Sequence, residues 1–274
     1  MQVQKWPQFA AAKKPFSNKR KDPKSLADFR RRNSKGLVQS NYSKSAPEFE
    51  KRLAKSLVTK FSSDILQGHS GEGLHILVPL TGALASGEFV SGLLKVLAPK
   101  VKVHFLVTPN HFALSKKSME TRQQNPELRI EHFSAIRNLS RHLDRCLRGN
   151  CERIVVLDDH HTGESYEVMK KLLERKKHTH SAKVEKYDNS FLTEFMGRFL
   201  RDSRNIGWKK DWLGKYALDE ANFERMNASP EKYQRFYAQR RGQLLKETKT
   251  GRRVAYQLGI ATAKEYLLAN AKPN

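Results

Sequence analysis

The sequence predicts an α/β protein built on a doubly wound, mainly parallel sheet with a helical C-terminal extension. Three apolar runs carry this expectation: His75 to Leu80, Val101 to Val107 and Ile154 to Leu157. The first and third show no polar alternation and read as buried strands, and the second, after Pro99, is a further strand candidate. The first and third pass directly into segments with helical spacing, and strand–helix alternation of this kind builds a parallel sheet between helical layers.

Residues 1 to 44 combine Lys19-Arg20-Lys21 and Arg30-Arg31-Arg32 with scattered Asn, Ser and Pro, the composition of a basic flexible arm. Ser45-Ala46-Pro47-Glu48 then supplies an N-cap serine, an early proline and a capping-box glutamate. Phe49, Leu53, Leu57, Phe61 and Ile65 follow at four-residue steps, which predicts an amphipathic helix with one buried face. Gly68 to Gly73 ends it. After the first strand, Thr81-Gly82-Ala83 opens a helix running to Leu97, and Pro99 precedes the second strand, completing a βαβ unit.

A polar stretch from Thr108 to Glu127 has the length of a mobile loop, and Ser134 to Leu147 shows helical spacing at Ile136, Leu139, Leu143 and Leu147. The third strand ends in Asp158-Asp159-His160-His161-Thr162-Gly163-Glu164-Ser165 and enters a helix marked by Val168, Met169, Leu172 and Leu173. A further strand is expected from Ala182 to Tyr187. The phosphate-site core is therefore expected over residues 45 to 190, with residues 191 to 274 as a helical extension or hood. Tyr233, Phe236, Tyr237, Leu244, Leu245, Val254, Leu258, Ala261 and Leu268 keep helical spacing there, and Trp208, Trp212 and Tyr216 are expected to pack.

The 274 residues suffice for one sizeable core with additions. Fifty-two basic against 28 acidic side chains leave a formal charge of +24, which favours polyanionic partners, either nucleic acid or phosphorylated metabolites. No apolar run approaches the roughly 20 residues of a membrane-spanning helix, and no secretory h-region opens the chain. The expected location is cytoplasmic. Residues 1 to 21 hold bases but no acid, a composition shared with transit peptides, so the mitochondrial matrix is the alternative address. Cys146 and Cys151 lack a second cysteine pair and read as reduced structural thiols. His160, His161, His178 and His180 follow no metal-ligand spacing, and no protein metal ligand is assigned.

The chemistry lies after the third strand. Backbone N–H groups at a helix start, with the Thr162 and Ser165 hydroxyls, can ring a phosphate, and Gly163 allows close backbone approach. Asp158 and Asp159 can accept hydrogen bonds from the 2- and 3-hydroxyls of a ribose. A polar strand-to-helix turn with a capping carboxylate is the plainer alternative for this stretch, as a tight small-residue turn is for Thr81 to Ala83.

At these residues the chain resembles the type I phosphoribosyltransferase family, whose fingerprint is an apolar strand, two acids, a short spacer, Thr-Gly-x-Thr/Ser and a helix. The likeness extends over residues 70 to 190 and includes Thr81-Gly82-Ala83, which is similar to the loop that holds pyrophosphate in that family. It implies a ribose-phosphate site at Asp158, Asp159, Thr162, Gly163, Glu164 and Ser165, with the two aspartates catalytic. It implies phosphoribosyl pyrophosphate as substrate, Mg2+ bound through the substrate's pyrophosphate, and transfer of ribose 5-phosphate to a nitrogen nucleophile such as a nucleobase. Such an enzyme is a glycosyltransferase of nucleotide metabolism. Lys116, Lys117 and Arg122 would close over the site as a lid. The spacer here is two residues, His160-His161, where the family has three, so a tighter loop is expected and His161 stands where some members carry an acid. The competing expectation is a non-catalytic protein that keeps the fold and binds RNA or a ribonucleoprotein through its basic arm.

Overall fold

The structure is a computed structural model and describes residues 22–33, 46–66, 71–79, 83–106, 137, 139–158, 164–176, 181–199 and 249–270. Four strands, β1 (Leu74–Pro79), β2 (Lys102–Leu106), β3 (Arg153–Asp158) and β4 (Lys183–Asp188), form one sheet in the order β2-β1-β3-β4. Every neighbouring pair is parallel. The helices are α1 (Leu26–Asn33), α2 (Ala46–Phe61), α3 (Leu84–Leu97), α4 (139–146), α5 (Glu164–Glu174), α6 (Ser190–Phe199) and α7 (Lys249–Asn270). A π-helical turn, Ser62–Leu66, continues α2.

Strand alternation sorts the core into two layers. Leu74, Ile76, Val78, Val155 and Leu157 face α2, α3, α6 and α7 and share one cluster with Phe61, Phe89, Leu93, Phe195 and Leu258. Leu77, Ile154 and Val156 point the other way, onto Leu139, Leu143 and Leu147 of the α4 region and Met169, Leu172 and Leu173 of α5. Helices therefore cover both faces, which is why the central strands read as unbroken apolar runs. The step from β1 to β2 runs through α3 on the first face, and the step from β3 to β4 runs the opposite way through α5 on the second. Reversing both direction and face preserves the hand, and the return from β2 to β3 with α4 on the second face has the same hand again.

The α3–α7 crossing depends on two glycines. A Cβ at Gly92 would lie 2.0 Å from the Tyr256 carbonyl oxygen, and one at Gly259 would lie 2.0 Å from the Phe89 carbonyl oxygen. The two backbones therefore touch directly. Beside this crossing Arg252 of α7 donates to the Glu88 carboxylate at 3.2 Å, both side chains being buried. Burial pushes the Glu88 carboxyl up to about 7 against the opposing pull of Arg252.

Two expectations change here. Residues 22–33 are not part of a flexible arm: Leu26 and Phe29 of α1 are buried, and Leu26 N–H donates to the Glu265 carboxylate of α7 at 3.1 Å. Arg30 pairs with Glu50 and stacks its guanidinium over the Phe199 ring, 5.1 Å from the centroid. Nor does the core stop at residue 190, because α6 and α7 both enter the first-face layer. Within α2 the expected apolar face is complete except for Phe49, which is 50% exposed. Among the described residues no helix is long and apolar enough to cross a membrane.

Candidate functional site at the carboxyl edge of the sheet

In an open parallel sheet of this kind the strand order reverses at one point, and the crevice this opens at the carboxyl edge is the ligand position of doubly wound folds. Here that point lies between β1 and β3. Their register runs from Leu74 with Arg153 to Leu77 with Val156, two residues before the strands end at Pro79 and Asp158. The two loops singled out from the sequence thus begin at adjacent strand ends, one leading to α3 on the first face and the other to α5 on the second.

Asp158 is the last residue of β3 and pairs in register with Asp188, the last residue of β4. Glu164 and Ser165 open α5. Ala83 stands at the start of α3, is buried, and donates its N–H to the Pro79 carbonyl at 3.3 Å, so that amide is engaged within the turn. Thr81, Gly82, Asp159, His160, His161, Thr162 and Gly163 lie outside the described residues, as do Lys116, Lys117, Arg122, His178, His180, Trp208, Trp212 and Tyr216.

Three helices start at this edge, α3 after β1, α5 after β3 and α6 after β4. Their amino termini present backbone N–H groups and the positive ends of their dipoles. Neither α3 nor α6 carries an acid in its first turn. The α3 and α6 starts are joined through Ser86 and Thr193, whose hydroxyl oxygens lie 3.4 Å apart, and the Thr193 hydroxyl donates to the Asn189 carbonyl at 3.1 Å. The Asp188 carboxylate accepts the Ser190 N–H at 2.9 Å and so fixes the turn into α6.

Sequence reasoning missed Asp188 and Asn189. Asn189 is fully buried, and neither amide atom of its side chain has a hydrogen-bond partner among the described residues. The buried Tyr187 hydroxyl is in the same condition, and burial, with Asp64 and Asp188 nearby, holds its pKa up at about 12. An Asp-Asn-Ser run after a strand reads as an ordinary capping turn, and only the pairing of β4 with β3 brings it beside the motif.

A second polar cluster sits at the other end of the sheet. His75 Nδ1 and His104 Nε2 are 3.0 Å apart with rings nearly parallel at 16°, and His75 Nε2 donates to the Asn150 carbonyl at 3.1 Å. Burial holds His75 below the usual histidine range, and His104 falls to about 4 through burial first and then the neighbouring His75, His142 and Lys102. Burial raises the thiols of Cys146, to about 11, and of Cys151, so neither is a ready thiolate. Among the described residues no group of three or more His, Cys, Asp or Glu could hold a metal ion.

The described residues define the chain as an α/β protein, a four-stranded parallel sheet with helices on both faces. No family model, curated protein or solved structure matches it.

Proposed function

We propose that the chain binds phosphoribosyl pyrophosphate with Mg2+ and transfers ribose 5-phosphate to a nitrogen nucleophile, on a sheet of phosphoribosyltransferase type. One observation carries the reading. The strand order sets the end of β1 beside the end of β3 at the point where their helices diverge, so both fingerprint loops start at one crevice. A lone capping turn at Asp158 would not require the Thr81 to Ala83 segment to begin beside it.

In this reading the α5 start, with Thr162, Gly163, Glu164 and Ser165, takes the 5-phosphate, while Asp158 and Asp159 accept from the ribose hydroxyls. Thr81, Gly82 and Ala83 face the pyrophosphate, and Lys116, Lys117 and Arg122 close over it. The bond from the anomeric carbon to the pyrophosphate oxygen breaks with its electron pair leaving on pyrophosphate. A nitrogen lone pair forms the new bond, and the nitrogen's proton passes to solvent. The carboxylates hold the sugar and steady the positive charge that develops on it. Magnesium enters this reading with the substrate, through its pyrophosphate oxygens, and takes no assigned protein ligand. When bound through the substrate's pyrophosphate, the metal would neutralise the leaving group.

Titration calorimetry with phosphoribosyl pyrophosphate, with and without magnesium, tests the site. Asp158→Asn should keep a cooperative melt and weaken binding by roughly tenfold or more, as expected for losing a hydrogen bond to a charged acceptor at about 1.5–3 kcal/mol. Gly163→Val should weaken it further by obstructing the anion's approach. Wild-type protein with no magnesium-dependent binding at millimolar ligand would overturn the proposal.

A further inference from the structure

The basic surplus is distributed unevenly over the described surface. On the first face and at the sheet ends several lysines and arginines are met by acids, Lys51 by Glu48, Lys60 by Asp64, Lys95 by Asp22, Lys100 by Glu72, and Arg31 and Arg32 by Asp28, while Arg52 and Lys55 of α2 stand exposed as two isolated cations. The outer side of the α4 region differs. Arg137, Arg141, Arg145 and Arg148 are all exposed, and none has an ion pair among the described residues.

Their spacing gives the surface its form. Arg141 and Arg145 are one turn apart on α4, about 6 Å along its axis, with Arg137 before the helix and Arg148 just past its end, and Leu139, Leu143 and Leu147 of the same stretch are buried against the sheet. The stretch 137–148 contains one acid, Asp144. Lys176, reaching across from the end of α5, donates to Asp144 Oδ1 at 2.7 Å and to Ser140 Oγ at 2.9 Å. That lysine is itself buried and pairs the one acid of the stretch, so the four arginines dominate the outer side although the Asp144 side chain stays 45% exposed. On α5 and just past its end the exposed Lys171 and Arg175 are balanced by the exposed Glu167 and Glu174.

We infer that this arginine row is a docking surface for the phosphate backbone of RNA. Four exposed guanidiniums within twelve residues suit a polymer of anions, and each planar fork can grip a phosphate through two hydrogen bonds. A membrane surface would need apolar side chains to insert, and the described large apolar residues that stand exposed, Phe49, Leu267 and Leu268, belong to α2 and α7 on the first face. The helix is seated on the sheet with α5 alongside, so it offers a shallow stripe and cannot enter a duplex groove as a protruding rod. That shape fits a single strand or the wide, shallow minor groove of A-form RNA better than the major groove of B-form DNA. The inference is independent of the phosphoribosyl pyrophosphate site, which lies at the carboxyl edge.

Fluorescence anisotropy on the full chain tests it, using a labelled 20-nucleotide RNA across a salt series. The variant R137Q/R141Q/R145Q/R148Q should bind at least about tenfold more weakly. Its plot of log affinity against log salt should be shallower by about 2–3, the sum of four lost contacts at roughly 0.7 each. The comparison variant K51Q/K60Q/K95Q/K100Q removes the same formal charge from paired positions and should stay within about twofold of wild type. Melting curves check both, and the pair R141Q/R145Q serves if the fourfold variant fails to melt cooperatively, with about half the change in slope. Equal weakening by the arginine and lysine variants would overturn the inference, as would unchanged RNA binding by the arginine variant. Tighter binding of B-form duplex DNA or of polyglutamate than of RNA would overturn it too.

Discussion

Replacing Gly92 or Gly259 by alanine sets two opposing effects against each other at the α3–α7 crossing. In a helix interior alanine is favoured over glycine by about 1 kcal/mol, so propensity alone predicts stabilisation. Geometry predicts the reverse. The new Cβ would sit 2.0 Å from a carbonyl oxygen of the facing helix, whereas even close C–H···O contacts hold carbon and oxygen about 3.3–3.6 Å apart. The obstacle is backbone on both sides, so no rotamer change relieves it, and the helices must part by more than about 1 Å. A gap of that size forfeits roughly a quarter to a half of each dispersion contact across the interface, which includes Phe89, Leu93, Ala255 and Leu258. Overpacking typically costs about 1–3 kcal/mol, and unyielding backbone on both sides puts this contact at the upper end, leaving a net loss of roughly 2 kcal/mol after the propensity gain. For a domain of this size that lowers Tm by about 4–8 °C. Urea unfolding at constant m should show the same loss, and the double variant should lose less than the sum because the first alanine has already opened the crossing. An alanine variant as stable as wild type, or more so, would refute the direct backbone contact.

Two further predictions concern buried charge. The folded-state pKa of His104 is lowered to about 4 from 6.5, so its contribution is present above pH 6.5 and lost as pH falls toward 4. Denaturant titrations should show a decline of about 3 kcal/mol over that window, and His104→Gln should flatten it. Glu88 has the opposite sign: its pKa is raised from 4.5 to about 7, so its contribution is present below pH 4.5 and lost as pH rises through 7. Arg252→Met should cost about 3–5 kcal/mol at pH 8, where the carboxylate is left charged and buried, and less at pH 6; a cost independent of pH would contradict the pairing.

The sheet was legible in the sequence because β1 and β3 are covered on both faces, so Ile76-Leu77-Val78 and Ile154-Val155-Val156 remain apolar without interruption. The reading failed where burial comes from distant partners. In α1 only Leu26 and Phe29 mark an apolar side, and Arg30-Arg31-Arg32 dominates the local composition; those two residues are inside because α7 lies against them. The helical pattern of α7 was visible, yet Leu268 of that pattern is 62% exposed while Gly259, which local propensity counts against a helix, sits at its tightest contact. Of the carboxyl edge, Asp158 and Ala83 could be located by the apolar runs before them. Asp188 and Asn189 could not, since nothing local distinguishes their turn and their place beside β3 follows from strand pairing.

The distances along the chain between first-face partners bear on how the protein is made. Glu88 and Arg252 are 164 residues apart, and Leu26 and Glu265 are 239 apart. At synthesis rates of about 5–20 residues per second, on the order of ten seconds or more separate the appearance of α3 from that of the helix that seals it. Throughout that interval Phe89, Leu93 and the backbone at Gly92 have no α7 to cover them. A nascent chain in this state displays an apolar groove shaped for a helix, open to holdases and to the corresponding helix of a neighbouring copy. Folding of the first-face layer is thus expected to be slow, late and sensitive to concentration.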